Sequence, residues 1–132
     1  MNHLDIKIKS LIQIETDMFQ KNQFHQNFPF IILNIIGEII YTPQSFINLI
    51  GYNSKELLGK SAYNFTLIEE NEFISNAHYN LINNLGSITK ISFRIIHKSR
   101  NVFWVEGTST SVHIPLLEEL VIISSFKKLN SF

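Results

Sequence analysis

The chain has 132 residues, 45% of them hydrophobic and 12% aromatic, and its 11 Lys and Arg balance 11 Asp and Glu for a formal net charge of +0. That is enough apolar material for one core and one domain, and too much for a disordered chain. A neutral chain has no global field to draw in a polyanion, so no nucleic-acid partner is expected. There is no cysteine, which excludes disulfides, thiolate metal sites, cysteine nucleophiles and cysteine photoadducts.

Taken in chain order, Leu4, Ile8, Leu11, Ile12, Met18 and Phe19 fall at helical spacing among Asp5, Lys7, Lys9, Gln13 and Asp17. Ile6-Lys7-Ile8-Lys9 also fits a strand alternation. The polar stretch Gln20 to Asn27 reads as a joint, so residues 1–27 are set apart as an N-terminal amphipathic segment and 28–130 as the main domain. Asp5 sits where a secretion signal wants a basic then an apolar stretch. The longest apolar runs, Phe28 to Leu33 and Leu120 to Ile123, are too short to span a bilayer. A cytoplasmic domain with no membrane span in this chain is the expectation.

Phe30-Ile31-Ile32-Leu33 and Glu38-Ile39-Ile40-Tyr41, separated by Asn34 to Gly37, predict a β-hairpin. Pro43 cannot donate to a ladder and ends the second strand. Short helical pieces follow: Ser45 to Ile50 stopped by Gly51, Lys55 to Leu58 capped by Ser54 and stopped by Gly59, and a turn over Ser61 to Phe65. Glu69 to Leu85 predicts the one longer helix, with Phe73, Ile74, Ala77, His78, Leu81, Ile82 and Leu85 on one face and Gly86 ending it. Ser87 to His97, Val102 to His113 and Leu120 to Lys127 predict three strands joined by turns at Lys98–Asn101 and Ile114–Glu119. Strands on both sides of a helical segment imply an α+β domain, one antiparallel sheet packed on its helices.

Several motifs stand in one order: Gly37, Ile39 and Tyr41; Ser45; Leu49-Ile50-Gly51-Tyr52 with Glu56-Leu57-Leu58-Gly59; then Arg94, His97-Lys98 and Trp104-Val105-Glu106. From Phe28 to about Lys128 this resembles the PAS domain family, the sensory box of signal-transduction proteins. The resemblance implies a five-stranded antiparallel sheet with short helices and one longer helix on one face, plus the N-terminal helical segment. It also implies an ion pair between Glu56 and Lys98. The sequence departs from the family pattern at Pro43, at Arg100 where a turn glycine is usual, at Leu67-Ile68-Glu69-Glu70, and at Phe126-Lys127-Lys128. Asn101 is the expected left-handed residue of the turn that lacks its glycine.

The family's ligand pocket lies between sheet and helices, and the resemblance assigns its lining to Ile32, Phe46, Ile50, Phe65, Phe73, Ile74, Phe93 and Ile95, with His78 beside them. The same side chains could instead fill a closed core. His78 lies on the helix from which haem-binding members take an axial ligand, so haem is one cofactor the resemblance admits and non-covalent flavin another. His3, His25, His97 and His113 lack ligand spacing, and no metal is expected without haem.

Leu4, Ile8, Leu11 and Ile12 of the leader, with Phe103 and Trp104 on opposite faces of their strand, are the interface candidates for a homodimer. The resemblance further implies a parent protein carrying an output domain such as a histidine kinase or a cyclic-dinucleotide enzyme. Catalysis finds no support. Glu69, Glu70 and Glu72 suit a helix N-terminus, and Thr108-Ser109-Thr110-Ser111 is strand composition. The expected function is a non-enzymatic signal-sensing and protein-interaction module. A haem-based gas or redox sensor on His78, and a small enzyme on a cone-shaped α+β fold, are the rivals.

Overall fold

A computed structural model describes residues 14, 16–23, 28–114 and 118–129. The hairpin forms as β1 (Phe30–Leu33) and β2 (Ile39–Tyr41). Its turn is held by the Asn34 side chain, whose Oδ1 accepts from the backbone N–H of Ile36 and Glu38 at 3.2 and 2.9 Å. The other strands are β3 (Ile88–Ile96), β4 (Val102–Ile114) and β5 (Glu119–Lys128). All pairs are antiparallel, and the five strands lie in the order β2-β1-β5-β4-β3. The first strand therefore sits beside the last, which closes the chain on itself and leaves β2 and β3 as the edges.

Between hairpin and long strands run α2 (Gln44–Ile50), α3 (Ser54–Leu57), two 3-10 turns (Ala62–Phe65 and Ile68–Glu70) and α4 (Asn71–Asn83). Gly51 closes α2 at φ 85°, its N–H reaching the Ile47 carbonyl, a left-handed conformation that only glycine adopts without cost. Residues 16–23 form a further helix, α1.

Four local expectations are corrected. The cap of α3 is Asn53, not Ser54: its side chain accepts from Glu56 N–H while the Glu56 carboxylate accepts from Asn53 N–H, a reciprocal pair that Ser54 cannot make from inside the helix. The longer helix starts at Asn71 and ends at Asn83, because Ile68–Glu70 winds as a separate tighter turn. Arg100, and not Asn101, takes the left-handed conformation at φ 77°. Gln20 to Gln23 continue α1 instead of forming a joint, since Gln20 is buried and bonded to the sheet.

The sheet is buried on both faces. Its inner side presents Ile31, Leu33, Ile39, Phe93, Ile95, Val105, Ile122 and Phe126 to Phe46, Ile50, Leu57, Ile74 and Leu81 of the helices. Burial of each such side chain stabilises by about 1.5–3 kcal/mol. The outer side carries a second cluster, Phe30, Ile32, Ile114, Val121 and Ile123, closed by Phe19 of α1. The leading helix thus covers the back of the sheet, with Thr16, Phe19 and Gln20 as its buried face.

Candidate functional site

Between the inner face and the helices lies a cavity of about 40 Å³. Its walls are apolar side chains of every layer, among them Ile31, Leu33, Phe46, Ile50, Ile74 and Phe93. Strand alternation sets the polar exceptions on the sheet. Ser109 shares the inward parity of Phe103 and Val105, and Ser124 that of Ile122 and Phe126. Their hydroxyls meet at 2.7 Å, both residues being buried.

The opposite wall carries Tyr63, from the 3-10 turn, and His78, from α4, with the phenol oxygen 3.3 Å from His78 Nδ1. Burial lowers the His78 pKa to about 4, so the imidazole is neutral at physiological pH. Burial likewise raises the Tyr63 pKa, partly offset by the Ser75 hydroxyl. Tyr63 is placed by Gly37 in the hairpin turn, where a Cβ would stand 2.7 Å from the phenol ring. Thr66 also reaches the cavity, but its hydroxyl is committed to the Tyr63 carbonyl and the Asn71 side chain. Among the described residues no charged side chain lines the space.

Of the sequence candidates, Phe46, Ile50, Phe65, Ile74, His78, Phe93 and Ile95 come together around this cavity. Two do not. Ile32 points to the outer face and packs with Phe30 and Ile123 in the second cluster. Phe73 lies on the solvent side of α4 with 55% of its surface exposed. Leu85, beyond the helix end, is exposed as well, so the buried stripe is narrower than its spacing suggests, Ile74 and Leu81 forming its centre. Tyr63, Ser109 and Ser124 were not among the expected site residues. Parity with Val105 and Phe126 is the signal that would have exposed the two serines.

The interface candidates divide in the same way. Phe103 packs against the inner core, whereas Trp104 lies on the outer face with the Arg94 guanidinium 5.2 Å from its ring centroid. Leu4, Ile8, Leu11 and Ile12 lie outside the described residues. The Glu56–Lys98 ion pair is present at 2.7 Å and lowers the Glu56 pKa. It ties the β3–β4 turn to α3.

Haem does not fit. Sites for ligands of drug or cofactor size run to about 300–1,000 Å³, and a cavity of about 40 Å³ admits neither that macrocycle nor a flavin. Among the described residues no three His, Asp or Glu side chains converge as a metal site, and no helix is long and apolar enough to cross a membrane.

The chain belongs to the PAS family: a model described as the PAS fold matches residues 39–115, more than half of the chain. At 27% identity over 73 residues the chain is similar to hypoxia-inducible factor 1-alpha of Xenopus laevis, a match covering 55% of this chain and 9% of that protein. The same protein of Gallus gallus matches at 26% over the same length and shares. Among solved structures, the PAS domain of an HTR-like protein from Haloarcula marismortui superposes with a TM-score of 0.69 at 15% identity, covering 89% of this chain and 99% of that one. Drosophila melanogaster Cycle PAS-B with bound ethylene glycol does so with 0.68 at 16%, covering 76% and 99%. At such identities the likeness is one of fold.

Proposed function

We propose that this PAS domain is a sensory and interaction module: a small ligand in the inner cavity biases how the sheet holds α1, and α1 passes that state to a second copy or an output domain. One observation carries the reading. Ser124 reaches the cavity, and the next residue, Ser125, faces the other side of the sheet and accepts a 3.0 Å hydrogen bond from Gln20 of α1. A ligand that alters the bonding of Ser124 acts on the same strand that anchors the helix. The ligand needs only to bind one of two sheet–helix arrangements more tightly than the other. A solved relative of the fold holding ethylene glycol supports a small occupant.

In this reading the domain works in the cytoplasm, without catalysis of its own, as a homodimer and as part of a signalling protein that supplies the output. Amide NMR during titration with ethylene glycol tests it. Shifts are expected at Ile50, Phe93 and Ser109 and also, across the sheet, at Gln20. A response confined to the cavity residues overturns the relay. Sedimentation of the full chain and of a variant lacking residues 1–26 tests the dimer: an unchanged dimer after truncation removes the leader from the interface.

A further inference from the structure

Resting on the cavity reading above, the chemistry of its walls narrows what it accepts. A hydroxyl carries one proton and two acceptor lone pairs. When two buried hydroxyls bond each other, one proton lies between them and the second has no acceptor within the pair. Ser109 and Ser124 are such a pair, 5% and 2% exposed, and neither hydroxyl makes another hydrogen bond among the described residues. Their surplus proton is a donor at the floor of an otherwise apolar space.

The opposite wall repeats the arithmetic. Tyr63 and a neutral His78 bring two acidic protons to a contact that uses one. If the phenol donates to Nδ1, the imidazole proton sits on Nε2; if Nδ1–H donates, the phenol proton is left with only the Ser75 hydroxyl beside it. The adjoining hydroxyl that serves as a counter-example is Ser111, which both donates to the Leu81 carbonyl and accepts from Gly86 N–H, and so has its proton placed. The hydroxyls keep unused lone pairs as well, but a buried proton without an acceptor is the rarer and costlier condition, so it is the surplus donor that an occupant has to satisfy, with no ion in the walls to match a charge.

We infer that the site takes a small neutral molecule of a few non-hydrogen atoms, mostly apolar, carrying one oxygen acceptor such as a ketone, aldehyde or ether, held by the Ser109–Ser124 hydroxyl pair. Size follows from the volume: about 40 Å³ is far below the roughly 300 Å³ at which drug-sized sites begin, which leaves room for a few non-hydrogen atoms. An anion is disfavoured because the lining holds no cation, and one or two neutral donors repay too little of its lost hydration. A pure hydrocarbon leaves the donor unsatisfied, and an occupant of this size binds only at millimolar concentration.

The test uses four probes on the intact chain, followed by amide and methyl NMR: xenon, acetone, its hydrocarbon isostere 2-methylpropene, and its anionic isostere acetate. Bare affinities mix in the different hydrophobicities of acetone and the alkene, so the readout is their ratio. On Ser109→Ala/Ser124→Ala the acetone-to-alkene affinity ratio is expected to fall at least about tenfold. A ratio that stays within about twofold overturns the assignment of the serines, as does acetate binding as well as acetone. If the double variant fails to fold, the carbonyl carbon of labelled acetone decides on the native protein. A resonance near its aqueous, hydrogen-bonded position supports the donor; a shift to the apolar-solvent position overturns it. Should xenon, acetone and the alkene all leave the cavity residues unmoved, the cavity reading itself falls and the ligand class with it.

Discussion

Glu70 holds Arg94 twice. One carboxylate oxygen accepts the backbone N–H of Arg94 at 3.0 Å, and the other accepts its side-chain Nε at 2.6 Å. β3 is an edge strand, so that backbone N–H has no neighbouring strand to receive it. A side chain from the helical layer thus seals the open edge of the sheet and holds the guanidinium over Trp104 on the outer face. The acidic run at residues 69–72 looks like dipole complementarity in the sequence, yet one of its members serves a strand.

Glu70→Ala is expected to lower stability by about 1.5–3 kcal/mol, since it removes two hydrogen bonds to a charged, largely buried group. Glu69 stands 4.0 Å from Arg94 with 62% of its side chain exposed, and Glu69→Ala should change stability by less than about 0.5 kcal/mol. Urea denaturation of the two variants beside the parent measures the difference. Equal effects would show that Glu70 acts only as a general surface charge.

Acid should weaken the fold through His78. Its pKa falls from 6.5 to about 4 on burial. Between those values the unfolded chain binds a proton that the folded chain does not, so stability rises with pH and is lost on acidification from about 6.5 downward. At about 1.4 kcal/mol per pH unit the full loss approaches 3 kcal/mol near pH 4. The Glu56 contribution, from a carboxyl whose pKa is lowered below 4.5, is present above that value and fades only beneath it, leaving the higher window to His78. Urea midpoints from pH 7 to 4.5 should slope for the native protein and flatten for His78→Phe. Parallel slopes would remove His78 as the cause.

The fold was legible because its signals are local and periodic. Gly51 stops its helical piece, Pro43 ends a strand, and the alternation around Phe93 marks a sheet face, whereas the long helix stops at Asn83, short of the expected Gly86. What escaped were decisions made by distant partners. The run Phe30-Ile31-Ile32-Leu33 has no polar residue to mark a side, so only the covering of both faces reveals that Ile32 looks away from the cavity. Phe73 sits at the margin of its helical stripe, and a helix that touches its neighbours along one narrow line leaves that margin in water. Ser109 and Ser124 are ordinary strand residues until β4 and β5 pair and set them opposite one another.

Gly37→Ala should damage the site from outside it. The position has φ 89°, which costs any L side chain, and the new Cβ would stand 2.7 Å from Tyr63 Cε2. Strain and displacement together are expected to cost about 2–4 kcal/mol. Because Tyr63 carries the contact to His78, the His78 ring resonances should move in the variant even at temperatures where it is fully folded. If stability falls and those resonances stay in place, the turn glycine supports the hairpin alone.

The attachment of α1 rests on a polar contact within an apolar interface, which makes it separable from hydrophobic packing. Gln20 Nε2 donates to the Phe28 carbonyl and to the Ser125 hydroxyl, and Gln20 is 1% exposed. Gln20→Met keeps length and removes both donors, so it is expected to destabilise by about 1–3 kcal/mol. Ser125→Ala removes one acceptor and should cost less. If the Gln20–Ser125 bond is real and direct, the two losses will fall short of adding by about 0.5–1.5 kcal/mol in a double-mutant cycle. Met18, 58% exposed on the same helix, supplies the control: combined with Ser125→Ala, a Met18→Ala change should add within about 0.5 kcal/mol. Full additivity at Gln20 would mean that α1 is held by Phe19 and its apolar neighbours, and the strand that bears Ser124 would then have no bonded path to the helix.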